Sequence, residues 1–299
     1  MLYDLTRHYH NPLKIVNAIF VDNDVTLKKT FAQVFMDYYR GTSMNVDFAS
    51  PDAVAAVNKW ASDNTNGLIT NIIKMFDPDT RAAIANAIYF SDRWAWEFSP
   101  EKTKKDTFNS PAGETEAYYM LHEDGIQFYY EDDTVQALPL DFETGGGMYI
   151  ILPKNGDATE LLSSMTSGYF NTIQGGLDLA KGKLLLPRFS IKSDVMELAD
   201  TLTALGIPLT NADAIDGLIE EASLFVSNVL HKAVIEVDEK GTTAAAVTVT
   251  ELSPGSASPQ PQPSKTFEMI CDKPFVFLLY GDTVDNGSQI LFTGVVNRP

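Results

Sequence analysis

The sequence predicts a mixed α+β fold with a substantial antiparallel sheet. Three observations carry this. Most apolar segments are short runs rich in Val, Ile, Phe and Tyr bounded by Gly, Pro, Asn or Asp; only two segments show clear helical periodicity; and strands and helices follow one another without regular βαβ alternation. The first helix is read at Ser50-Pro51-Asp52, which supplies an N-cap, a first-turn proline and an acid for the helix dipole. Val54, Val57, Trp60 and Ala61 share one face, and Gly67 stops it. Strands are expected at Asn86–Phe90, Met148–Leu152, Lys183–Leu186, Ala233–Val237, Phe275–Tyr280 and Ile290–Val296. Gly145–Gly147 reads as a hairpin turn, and Asp285-Asn286-Gly287 as the turn joining the last two strands. The second helix is read from Asp194, whose carboxylate forms an Asp variant of the capping box with Glu197. Val195, Leu198, Ala199, Leu202 and Leu205 make its apolar stripe, and Gly206 with Pro208 beyond ends it.

A chain of 299 residues, 44% hydrophobic, can build an ordinary core. The net charge of −18, with no dense Lys/Arg stripe beyond Lys102, Lys104 and Lys105, argues against nucleic acid as a partner. A single cysteine, Cys271, excludes an intrachain disulfide and fits either redox compartment. The first residues lack a secretory pattern, and no apolar run is long enough to cross a membrane as a helix. His8 with His10, or His122-Glu123-Asp124, would need a third ligand at recognisable spacing to hold a metal, and none occurs; no cofactor is expected. There is no G-x-S-x-G nucleophile motif, and Gly145–Gly147 lacks the Lys/Ser of a phosphate loop.

One stretch differs from the rest. Thr242–Ser264, TTAAAVTVTELSPGSASPQPQPS, has almost no large side chain, the single charge of Glu251, and its prolines in the second half. Composition alone reads as a solvated linker. Yet the chain from Lys265 to Pro299 holds only two or three strands, which cannot bury themselves and must pair with sheets made upstream. The polar stretch is then a long loop within one domain, which is uncommon unless it has a function.

The residues running into that loop, HKAVIEVDEKGTTAAAVT (His231–Thr248), are similar to the strand-and-hinge signature of the serpins, the serine-protease-inhibitor family. DKPFVFLL (Asp272–Leu279) with ILFTGVVNRP (Ile290–Pro299) resembles that family's C-terminal strand pair. NAIYFSDRWAWEF (Asn86–Phe98) resembles its third strand of sheet A running into the tryptophan of the breach, where the loop first enters the sheet. The resemblance begins near Leu13, with Lys14–Val21 similar to strand 2 of sheet A, and the family's first helices have no counterpart in the sequence. It implies a serpin fold over residues 1–299 as one domain, N-terminally short, with a large mixed sheet A, antiparallel sheets B and C, and a reactive-centre loop at 239–264.

What the resemblance implies for function is a monomeric, extracellular protease inhibitor, not an enzyme, acting as a suicide substrate; the lack of a secretory pattern in the first residues keeps a cytoplasmic location as the alternative. The protease acylates itself on the loop, and the cut loop inserts into sheet A. Counting from the hinge places the reactive bond at Gly255–Ser256, which suits elastase-like or subtilisin-like serine proteases; Leu252 and Ala257 are the alternatives. Glu239 to Gly255 spans about 53 Å at about 3.3 Å per residue, long enough to carry a protease along a large sheet. The hinge is Glu239, Gly241, Thr242, Thr243, Ala244, Ala245 and Ala246. With Thr242 taken as the first inward residue, as the resemblance implies, strand alternation gives an inward set of Thr242, Ala244, Ala246, Thr248, Thr250 and Leu252, and an outward set ending in Glu251 on the solvent side. Asn86 and His231 match the shutter pair, Trp94 the breach tryptophan, and Glu239 with Arg188 the ion pair tethering the inserting strand. The alternative is a non-inhibitory serpin-like protein or short form that proteases simply cleave, and a further one is an acidic scaffold with a proline spacer.

Overall fold

A computed structural model describes residues 13–77, 79–207, 218–220, 226, 228–242, 263, 265–283 and 287–299. Along the chain these form β1 (Leu13–Asp22), α1 (Lys29–Tyr39), β2 (Thr42–Val46), α2 (Pro51–Asn64), β3 (Ala82–Phe90), β4 (Asp92–Arg93), β5 (Lys104–Ser110), β6 (Gly113–Glu131), β7 (Val135–Asp141) and β8 (Gly147–Pro153). They continue with α3 (Ala158–Ser164), α4 (Ser167–Gly175), β9 (Asp178–Pro187), β10 (Phe189–Lys192), β11 (Met196–Glu197), α5 (Ala199–Ala204), β12 (Asn228–Asp238), β13 (Gly241–Thr242), β14 (Lys265–Ile270), β15 (Phe275–Thr283) and β16 (Gly287–Val296). All six expected strands are present. The chain divides into two compact units: the stretch up to Phe90 with Lys192–Ile235, and Ser91–Ile191 with Glu236–Pro299.

In the first unit β1 lies between β2, to which it is parallel, and β3, to which it is antiparallel; β3 is in turn parallel to β12, and β11 pairs antiparallel with β12. One face of β3 carries Ala83, Ala85 and Ala87. They share a core cluster with Val57, Trp60 and Ala61 of α2 and with Phe20, whose ring meets Trp60 edge-on at 5.9 Å. Alanines let a helix lie close to the sheet, and α2 buries its stripe there. Its start is the expected one: the Ser50 hydroxyl accepts from the Asp52 amide at 3.2 Å with Pro51 in the first turn. The other face of β3, with Ile84, Asn86 and Ile88, is half-buried.

The helix expected from Asp194 is corrected. Met196 and Glu197 are instead a short strand against His231 and Leu230, and the helix begins only at Ala199. The Glu197 carboxylate accepts from the backbone amide of Val229 at 2.6 Å, so tertiary strand pairing takes the group that a capping box would have used. Val195 and Leu205, expected in the apolar stripe, are exposed.

The second unit is built on a sheet ordered β14-β9-β6-β7-β8-β15-β16, with β5 added on β6; β14 is parallel to β9, and the other pairs are antiparallel. Every residue of β8 is buried, as befits a strand with neighbours on both edges. Val135, Ala137, Tyr149, Ile151, Val276 and Leu278 form a core with Ala158 of α3 and Ile173 of α4. The expected hairpin turn at Gly145–Gly147 is present between β7 and β8. Gly146 has φ +73°, and a Cβ there would lie 2.4 Å from the Tyr280 carbonyl oxygen, so only glycine fits. The turn read at Asp285-Asn286-Gly287 has its first two residues outside the described residues.

Candidate functional site

Within the first unit, strand register places Asn17, Asn86 and His231 side by side on β1, β3 and β12. The Asn86 amide nitrogen donates to Asn17 Oδ1 at 2.8 Å, which turns Asn86 Oδ1 toward His231 Nδ1 at 2.7 Å. An amide oxygen only accepts, so the proton must be on His231 Nδ1. Asn17 passes the chain on by donating to the Tyr39 carbonyl at 2.9 Å. Burial holds the imidazole below its usual pKa, which keeps it neutral near pH 7. Two of these residues were singled out by the sequence. Asn17 was not: one asparagine within an apolar strand carries no signal until the register sets it beside Asn86.

Within the second unit, Glu239 is 5% exposed and accepts two hydrogen bonds from Arg188, Nε at 2.9 Å and Nη2 at 2.6 Å, and one from the Thr103 hydroxyl. Burial works to raise the carboxyl pKa, but these donors outweigh it, and the acid titrates below the ordinary glutamate range. The Arg188 guanidinium also lies 5.5 Å from the centre of the Tyr118 ring. Thr103 is 136 positions away in sequence, and nothing in its local pattern announces it.

Trp94, 3% exposed, stacks on Phe142 at 4.8 Å and donates its indole N–H to the Asp238 carbonyl at 2.9 Å. Its own amide donates to the Lys240 carbonyl at 2.8 Å, and the Phe98 amide to that of Glu239 at 2.9 Å. The turn from Asp238 to Gly241 is therefore held from one side by the Trp94–Phe98 segment. Asp238 Oδ1 closes it by accepting from the amides of Lys240 and Gly241. Gly241 has φ +148°, and a Cβ there would lie 2.0 Å from the Asp92 carbonyl oxygen.

Gly241 and Thr242 form β13, antiparallel to β12 on one side and to β4 on the other, with Thr242 opposite both Val237 and Asp92. Thr242 is fully buried, and its hydroxyl accepts from the Asp92 amide at 3.0 Å. Thr243, Ala244, Ala245 and Ala246, with Gly255 and Ser256, lie outside the described residues. Among the described residues no group of three His, Cys, Asp or Glu could hold a metal, and no helix is long and apolar enough to cross a membrane.

The family model Serpin (serine protease inhibitor) matches residues 1–299. An uncharacterized serpin-like protein of Thermococcus kodakarensis is 33% identical over 96% of this chain and 66% of that protein. Serine protease inhibitor A6 of Xenopus laevis is 31% identical over 97% of this chain and 65% of its own length. The chain thus spans about two thirds of the length of these relatives. Among solved structures, human thyroxine-binding globulin in complex with thyroxine superposes with a TM-score of 0.83 at 25% identity, covering 100% of this chain and 78% of that one. A strand-rich α+β fold carrying these three matched segments in order, with a family model matched from end to end, makes this chain a member of the serpin family.

Proposed function

We propose that this chain inhibits serine proteases outside the cell as a monomeric suicide substrate, with the reactive bond at Gly255–Ser256 and the cut loop entering the sheet between β3 and β12. One observation carries the reading: three strand registers agree. Continued residue by residue from Thr242, the register with β4 sets Thr248 opposite Asn86, and the register with β12 sets Thr248 opposite His231. β3 and β12 are already paired with Asn86 opposite His231. A loop strand zipping downward from Thr242 would therefore fit both neighbours in one register and part the Asn86–His231 hydrogen bond as Thr248 arrived.

Insertion exchanges one parallel ladder, Asn228–Val234 against Ala83–Tyr89, for two antiparallel ones, whose hydrogen bonds are better aligned. It also buries the small, uncharged side chains of Ala244, Ala246 and Thr248 in line with Thr242, which is already buried. The same register sets Glu251 opposite Ala83, on the face packed with α2, so complete insertion requires α2 to yield there. Gly255 suits a protease with a narrow primary pocket, elastase-like or subtilisin-like.

The test is to mix the protein with such a protease and run the products on a denaturing gel. A covalent complex stable in SDS is expected, with the loop cut after Gly255. Cleavage with full recovery of protease activity and no complex would favour the alternative, a serpin-like protein that is only a substrate.

A further inference from the structure

Asp92 is a buried carboxylate that the inhibitory reading does not use. It is 8% exposed, and its direct cross-strand partner in the antiparallel ladder is Thr242. Directly opposed residues of an antiparallel pair project from the same face with Cβ atoms about 5 Å apart. Opposed to Asp92 in this way, the Thr242 side chain is placed to help keep water from the Asp92 carboxyl group. The two are joined through the backbone as well: the Asp92 amide donates to the Thr242 hydroxyl, which lies 3.4 Å from the Asp92 carbonyl oxygen.

Among the described residues, no cation pairs with this acid. Its carboxyl oxygens accept from the Thr144 hydroxyl and from the amide of Arg93 at 2.8 Å. The Arg93 guanidinium is turned away to Glu97, with Nε at 2.8 Å, and toward Glu143 at 3.9 Å. Among the described residues, the charged groups on the elements beside Asp92 are Arg93 on its own strand, engaged elsewhere, Glu143 on the β7–β8 turn, and Asp238, Lys240 and the Arg188-bound Glu239 on the turn before the hinge. Glu143 adds repulsion. Burial is the largest influence on Asp92 and raises its pKa, with the Thr144 and Arg93 hydrogen bonds opposing it.

We propose that Asp92 is a positioning residue for the hinge: its neutral carboxyl group keeps Thr242 seated in the sheet, and its ionised form favours withdrawal of Thr242 and hydration of the site. The sign follows from linkage. With Thr242 seated, the acid is desolvated and holds its proton more tightly than when Thr242 is out. Seating is fully favoured below the hydrated carboxylate's pKa and loses that advantage as pH rises through the higher, buried value. For an inhibitor that must insert its loop, acid would speed the first step. This consequence rests on the insertion reading proposed above, but the seating equilibrium does not.

The test is amide hydrogen exchange at Gly241–Thr242 and Asp92–Trp94 in the intact chain between pH 8 and pH 4, comparing wild type with Asp92→Asn at each pH so that intrinsic exchange cancels. The amide variant mimics the neutral acid. Exchange should be slower in Asp92→Asn at pH 8, by about tenfold for each unit by which hydration lowers the acid's pKa, and the ratio should approach one on acidification. Thr144→Ala, which removes a donor to the carboxylate, should move the transition to higher pH and serves if Asp92→Asn does not fold. A ratio that does not change with pH, or a pH dependence abolished by Asp238→Asn and not by Asp92→Asn, would overturn the proposal. Should the exchange follow Asp92 while no protease complex forms at any pH, the insertion reading fails and the role of Asp92 stands.

Discussion

The row around Asn86 and the cluster around Glu239 hold their parts of the chain by opposite chemistry. The first is a directional relay of neutral groups, from His231 through Asn86 and Asn17 to the Tyr39 carbonyl, set in a half-buried face of a sheet. The second is a nearly buried carboxylate whose Oε1 is fixed by two arginine N–H groups and a threonine hydroxyl. Neutral hydrogen bonds contribute about 1 kcal/mol each and can be exchanged for others. A buried charge cannot lose its partner without a far larger cost. The difference teaches which contact can open: the row must part if a strand is to enter between β3 and β12, whereas the Glu239 cluster lies before the hinge and can remain closed throughout.

The largest effects should come from charging the strand that inserts. Thr242→Arg places a guanidinium where the side chain is fully buried, costing several kcal/mol, and should convert an inhibitor into a substrate. Thr248→Arg should do the same by blocking entry between Asn86 and His231, whereas Thr243→Arg should be much milder. Stoichiometry of inhibition against one protease reads all three, and equal effects at 242 and 243 would mean that the assumed phase is wrong.

Next in size is the ion pair. Arg188→Ala leaves Glu239 buried without its cation and should cost about 2 kcal/mol by chemical denaturation, less than a fully buried pair because Arg188 is itself half-exposed. A loss below about 0.5 kcal/mol would show that Thr103 alone suffices. Asn86→Ala should cost about 1 kcal/mol, since the groups it leaves unpaired are half-buried and reached by water. The smallest effect concerns pH. With the His231 pKa lowered by burial, the unfolded chain binds the proton more readily, so stability should fall as pH drops below about 6.5. His122, stacked on Phe98, is shifted in the same direction, so a His231→Gln variant should remove only part of the slope.

Elements announced by their own residues were legible in the sequence. Ser50-Pro51-Asp52 set the start of α2, and Gly145–Gly147 marked a hairpin whose geometry admits only glycine at 146. The helix read from Asp194 failed because Glu197 is claimed by an amide 32 positions away, a competition invisible in a local pattern. The candidate site divides along the same line. Glu239, Arg188, Asn86, His231 and Trp94 were singled out through the family signature. Asn17, Thr103 and Asp92 were not: Asn17 and Asp92 acquire meaning only from the residue opposite them in the folded sheet, and Thr103 only from its hydroxyl's bond to Glu239, 136 positions away.

The central claim is that the loop has a strand position waiting for it, and a pair of melting curves addresses it most directly. One is of the intact protein and one of protein cut only between Leu252 and Ser258. An ordinary domain nicked in a loop loses a chain constraint and gains no contacts, whereas on the insertion reading the cut would let Thr243 to Leu252 extend the two antiparallel ladders that Gly241 and Thr242 already begin. The account predicts a higher midpoint after cleavage. An unchanged or lower midpoint would contradict it.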